Sequence, residues 1–178
     1  MYKKVTGDFF KKIFTMSTDK TENATIIDNL INLLNKGNAH ISLDEALKDI
    51  PFEILGNRPK GVPYSIWQLG EHIRIAQSDI LNFSKDSQYQ SPNWPDDYWP
   101  KEVKPPSEEA WENCTRQIKK DRKSFIALLR NSAKNLFTPF EYGDGQTLLR
   151  EALVLADHQS YHTGEIIILR RILKNWPV

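Results

Sequence analysis

A single cysteine, Cys114, stands in the whole chain, so no internal disulfide can staple the fold. Charge of one sign is equally scarce. The 24 Lys and Arg residues nearly cancel 23 Asp and Glu, and no run of basic residues forms a stripe. Without such a field a nucleic-acid partner is not expected. No apolar run approaches the roughly 20 residues needed to cross a bilayer. The N-terminal stretch MYKKVTGDFFKKIFTMSTDK also lacks the uninterrupted apolar core of a signal peptide. These absences lead to the expectation of a cytoplasmic protein with no membrane partner. Persistent alternation of apolar and polar residues is missing too, as are internal repeats and low-complexity segments, so strands are not expected. What is present, 178 residues with 39% hydrophobic content, suffices for one domain with a sizeable core. The expected division is a single domain, 1–178, with residues 1–20 as an extension and 21–178 as a helical body. Lysines alternate with Phe and Ile in the first sixteen residues, which would suit a membrane surface; a short helix docked on the domain is the preferred reading.

Four longer helical patterns emerge along the chain. The first runs from about Thr21 to Lys36, with Ile26, Ile27, Leu30, Ile31, Leu33 and Leu34 at helical spacing and Gly37 as its stop. A short helix follows at SLDE, where Ser42 can cap and Glu45 can close a capping box. After a loop rich in Gly and Pro, Ser65 is the expected N-cap of a second long helix, from Ile66 to about Lys85. Ser91 to Ser107, SPNWPDDYWPKEVKPPS, holds five of the ten prolines and three large aromatics, and so cannot be regular helix. Trp94, Tyr98 and Trp99 should anchor this loop on the body, either as packing over a bundle end or as a lid over a pocket. The third long helix is expected from Ser107 to roughly Ala133, with Trp111, Ile118 and Phe125 every seven residues. The fourth starts at a Thr147 cap and reaches about Lys174. Four amphipathic helices joined by loops make an all-α four-helix bundle.

The fourth helix carries an unusual feature, two histidines one turn apart in DHQSYHTGEIIILRRIL. Residues i and i+4 stand on one face of a helix, so His158 and His162 can converge on one point. They share that face with Leu148, Leu155, Ile166 and Leu169, while Ser160, Arg170, Arg171 and Lys174 fall on the other side. His72 on the second long helix likewise belongs to the face of Leu69, Ala76, Ile80 and Phe83. Three inward imidazoles each have a donor and an acceptor to satisfy, which is costly in a core. One shared divalent ion answers all three, and three histidines with an open position suit zinc, nickel or iron. His40 lies in a Gly and Asn neighbourhood and reads as a surface loop residue. Cys114 reads as a small core residue rather than a nucleophile.

Two stretches resemble the DinB-like metal-binding bundles, which are related to the bacillithiol and mycothiol S-transferases. YSIWQLGEHIRIAQSDIL, Tyr64 to Leu81, is similar to the family's second helix with its metal-binding histidine, here His72. DHQSYHTGEIIILRRILKNWP, Asp157 to Pro177, is similar to its last long helix with the His-x-x-x-His pair. The resemblance implies a bundle whose helices run up-up-down-down, with the Pro-rich aromatic loop between the second and third. It implies one divalent ion on His72, His158 and His162, with zinc or nickel preferred and iron or manganese as alternatives. It also implies a homodimer. Glu165, Asp79, Gln68, Tyr161 and Trp99 are expected around the site.

The favoured activity is metal-dependent thiol S-transfer, with a small-molecule thiol and an electrophile as reactants. A hydrolase with Glu165 or Asp79 as base, or a non-catalytic metal-binding or stress-related protein, are the other readings. Relatives often carry Gln where Glu165 stands. Its carboxylate has three roles open to it: a ligand, an acceptor of a hydrogen bond from a metal-bound water, or an ion pair with an arginine such as Arg122. The second role, orienting the bound water, is preferred.

Overall fold

The computed structural model describes residues 7–132 and 135–176, with side chains from residue 22 onward. The described residues are helical with no strand, and the elements are α1 (Gly7–Lys36), the one-turn α2 (Leu43–Ala46), α3 (Ile66–Phe83), α4 (Glu108–Asn131) and α5 (Leu148–Ile172). The caps expected at Ser42, Ser65 and Thr147 form, and Ser107 caps α4 in the same way: each side chain accepts from the backbone N–H three residues on. Gln68 completes a capping box at Ser65, whereas Glu45 makes no return bond to close the box expected at Ser42. Gly37 stops α1 at φ +67°, a conformation that costs a glycine little. α1 is one continuous helix from Gly7, so residues 7–20 extend it rather than forming a separate docked helix. The side chains behind that expectation lie outside the described residues, as does Ala133, the anticipated end of α4.

The order of contacts defines the bundle. α3 packs against both α4 and α5, while α1 packs against α5 and α4. Gly70 lies against Trp111 and Cys114, and the Gln77 amide donates to the Ile118 carbonyl one step further along both helices, at 2.6 Å, so α3 and α4 run in the same sense. A Cβ on Gly70 would stand 2.8 Å from the Trp111 ring, which is why this crossing carries a glycine. α5 runs opposite to α3, since His72 meets His158 and His162 while Leu69 meets Leu169 further on. α1 ends level with the middle of α5, where Gln159 donates to the Leu34 carbonyl at 3.0 Å. The chain then proceeds to Ala46, whose carbonyl accepts from Arg170 near the α5 end, so α1 and α5 share a sense. The senses are therefore up, down, down, up, and not the up-up-down-down expected. The physical reason is the long connection from Ser84 to Ser107, which returns the chain along the bundle before α4 begins.

Two apolar clusters fill the bundle. One joins α1, the ends of α3 and α4 and the start of α5 around Phe125, Leu129, Leu34 and Leu155. The other joins α2, the starts of α3 and α4 and the end of α5 around Leu43, Leu55, Ile73 and Ile166. On α5 the clusters stop at Ala156 and resume at Ile166, and the turn between them buries Gln159, His162 and Thr163. Arg170, expected on the solvent side, is buried. Its guanidinium donates to the carbonyls of Ala46 and Lys48 at 2.9 and 2.8 Å, which fastens α2 to α5. The hydrogen bonds explain how a charged side chain displaces an apolar one there.

Candidate metal centre

His72 projects from α3, and His158 and His162 project from α5, into the polar gap between the two apolar clusters. Their ring centroids lie 4.4 to 4.8 Å apart. The Nε2 atoms of His72 and His158 are 3.0 Å from each other. Among the described residues these three form a group able to hold a metal ion, one ligand atom from each within 4.8 Å of the others. Ligands on a tetrahedral zinc at about 2.0–2.1 Å stand roughly 3.4 Å apart, so the cluster needs only small side-chain adjustment to close on an ion.

The hydrogen bonds behind the rings support that fit. His72 donates its Nδ1–H to the Tyr98 carbonyl at 2.8 Å, and His162 donates its Nδ1–H to Glu165 Oε2 at 2.7 Å. Both rings are thereby held with the Nε2 lone pair free, the tautomer a metal ligand needs. The His72 and His158 contact follows. With His72 Nε2 as acceptor, the ion-free pair is held by a proton on His158 Nε2, and an ion would replace that proton.

Electrostatics favour the neutral, ligating form. Burial pushes His158 down to about 3 and His162 down to about 4, in both cases helped by neighbouring imidazoles, His162 and His72 for the first and His72 for the second. Burial lowers His72 as well, opposed by its hydrogen bond to Tyr98. Burial raises Glu165, against a hydrogen bond from Tyr161 and the attraction of His72.

The three rings open onto a cavity of about 760 Å³ that Trp94, Trp99, Tyr161 and Glu165 also line. Trp99 lies flat on His72, with centroids 3.8 Å apart and planes 3° from parallel. Its other face stacks on Tyr64 at 3.9 Å. The aromatic loop thus forms a wall of the cavity. Tyr98 contributes only its backbone to the histidines: its ring is buried, and its hydroxyl donates to Asp79 Oδ2 at 2.7 Å.

Five neighbours were expected around the ion, and they separate into two groups. Glu165, Tyr161 and Trp99 line the cavity. Asp79 and Gln68 do not: Asp79 stands behind the loop on the Tyr98 hydroxyl, and Gln68 caps α3 and donates to the Pro100 carbonyl. Seven residues from His72 is two turns along α3, which carries Asp79 past the three rings. Arg122 is not the partner of Glu165, because it pairs with Asp44 of α2 while Glu165 holds His162. The Tyr98 carbonyl is the member of the site that side-chain patterns missed, since a backbone acceptor in a loop leaves no residue-type signal. Cys114 is buried in the core, as expected, with its thiol pushed far up by burial. His40 is exposed and touches Ser160.

No helix among the described residues is long and apolar enough to cross a membrane. No curated protein and no solved structure matches the chain significantly. The profile of the DinB superfamily matches residues 40–166, a span that takes in all three histidines and most of the chain. An all-helical fold, a match of that extent and a three-histidine group of metal-binding geometry agree, and the chain belongs to the DinB superfamily.

Proposed function

We propose that this protein is a metal-dependent thiol S-transferase in which His72, His158 and His162 hold one divalent ion, zinc or nickel by preference. The observation that carries the reading is the pair of second hydrogen bonds, Tyr98 carbonyl to His72 and Glu165 to His162, which present lone pairs toward one point beside an open cavity. A purely structural ion would be closed off by a fourth side chain, whereas three ligands and an open side leave room for a reactant. The ion's contribution is to hold a small thiol as thiolate at neutral pH. The chain's own residues do the rest. Glu165 and the Tyr98 carbonyl orient the ligand rings, and Trp99 covers one face of His72 and keeps water from that side. The cavity would hold an electrophile beside the three rings, where transfer would form a sulfur–carbon bond while the leaving group departs with its bonding pair and the thiol proton passes to solvent.

The hydrolase reading has less support. Asp79, one of its two candidate bases, is bound to Tyr98 outside the cavity, and Glu165 already accepts from His162. Titration of the cobalt(II)-loaded protein with a simple alkyl thiol tests the proposal. A sulfur-to-cobalt absorption band that saturates at one thiol per chain is expected, and its absence in a protein that binds the ion would refute the thiol reading.

A further inference from the structure

The cavity in front of the histidines has walls of one chemical kind. Trp94, Trp99, Tyr64, Leu153, Val154 and Tyr161 give it aromatic and aliphatic surface. Its charged lining is Asp157 and Glu165, with no Lys or Arg among the described residues. A smaller cavity of about 210 Å³ shares Tyr64 and Glu165 and lacks basic residues as well. The chain as a whole carries 24 Lys and Arg against 23 Asp and Glu, so this lining is not a reflection of its composition. Glu165 is engaged with His162. Asp157 is exposed and, among the described residues, makes no hydrogen bond or ion pair, although its charge acts on the neighbouring His158. Trp94 lines the same cavity, is 72% exposed, unusual for an indole, and is held edge-on to Tyr98 at 5.1 Å. An exposed aromatic face and a free carboxylate on one cavity are the two elements that recognise an organic cation, by cation–π contact and by charge.

From this we infer that the cavity takes a reactant whose outer end is an aliphatic or aromatic group bearing an amine, and that it discriminates against reactants with an outer carboxylate or phosphate. The inference deepens the thiol reading and rests on it only for which end of the reactant meets the ion. An outer anion would find no basic partner and would be repelled by Asp157. An outer amine gains Asp157 and the Trp94 face, while the apolar body covers Leu153, Val154 and Tyr161.

The test uses three benzenethiols that differ only at the para position, which carries aminomethyl, hydroxymethyl or carboxylate. Each is titrated calorimetrically into the cobalt-loaded protein while the sulfur-to-cobalt band is recorded. The aminomethyl compound should bind about tenfold more tightly than the carboxylate, with the hydroxymethyl compound between them. Asp157→Asn should reduce that ratio to about threefold or less, and Asp157→Lys should reverse it. Asp157 is exposed, so neither variant threatens the fold, and matched cobalt content verifies the centre. Equal or tighter binding of the carboxylate, a ratio indifferent to Asp157, or no binding of any of the three would overturn the inference. The predicted order without the absorption band would instead sink the thiol reading and leave the cavity's preference standing.

Discussion

Each imidazole of His72 and His162 has one nitrogen committed to a fixed acceptor, so the direction of the other is a consequence of its neighbours and not of rotamer chance. Glu165 is the more testable of the two supports. Glu165→Gln keeps an oxygen that can accept the His162 Nδ1–H, and it should retain the ion with an affinity within about tenfold of the parent. Glu165→Ala removes the acceptor and should weaken binding by about 10- to 100-fold. Equilibrium dialysis against a metal buffer distinguishes the two, and equal affinities in both variants would show that Glu165 does not orient His162. The inward pair on α5 and the third histidine on α3 were legible from helical periodicity, because a ligand that points into a bundle must share a face with core residues. Glu165 was legible by angle, at about 60° from His162 around the helix. Its partner was not, since helical spacing does not tell that Arg122 is taken by Asp44 of α2 or that the Glu165 carboxylate accepts from His162.

At the level of elements, the loop between α3 and α4 has two functions. It carries the chain back along the bundle so that α4 can run parallel to α3, and it lays Tyr98 and Trp99 against His72. Its aromatic and proline content was readable as a loop folded onto the body. The direction of α4 was not, because the length of a connection permits either sense and only the pairing of Gly70 with Trp111 and of Gln77 with Ile118 decides it. α5 was misleading in another respect. It exposes Ile168 and Ile172 yet buries Arg170, so its polar and apolar faces are less separated than an ideal amphipathic pattern.

The loop supports two predictions. Trp99→Ala should leave the ion in place but speed its exchange with a chelator, because one face of His72 becomes open to water; an unchanged exchange rate would reduce the loop to packing. Tyr98→Phe keeps the carbonyl on His72 and removes the hydroxyl on Asp79, and should cost about 1 kcal/mol of stability in chemical denaturation. The ion should be retained in that variant.

Over the whole molecule, the three histidines link stability to pH and to metal. In the ion-free protein their values lie below histidine's ordinary 6.5, at about 3 for His158 and about 4 for His162, so the unfolded chain binds more protons than the folded one between those limits. Stability is then fully present above about pH 6.5 and falls as pH drops toward 3. Melting temperatures of chelator-treated protein across that range should decline, and a flat profile would mean that the rings are not held neutral by the fold. An ion bound only to the folded state adds stability by mass action, by about 2.7 kcal/mol at a free concentration 100-fold above its dissociation constant, and acid should remove that gain together with the metal. Elemental analysis of the purified protein beside His72→Ala, His158→Ala and His162→Ala, each verified as folded, tests the three-histidine centre most directly. About one divalent ion per chain is expected in the parent, and its loss in each variant; full metal content in any two of the three would show that these histidines do not hold it.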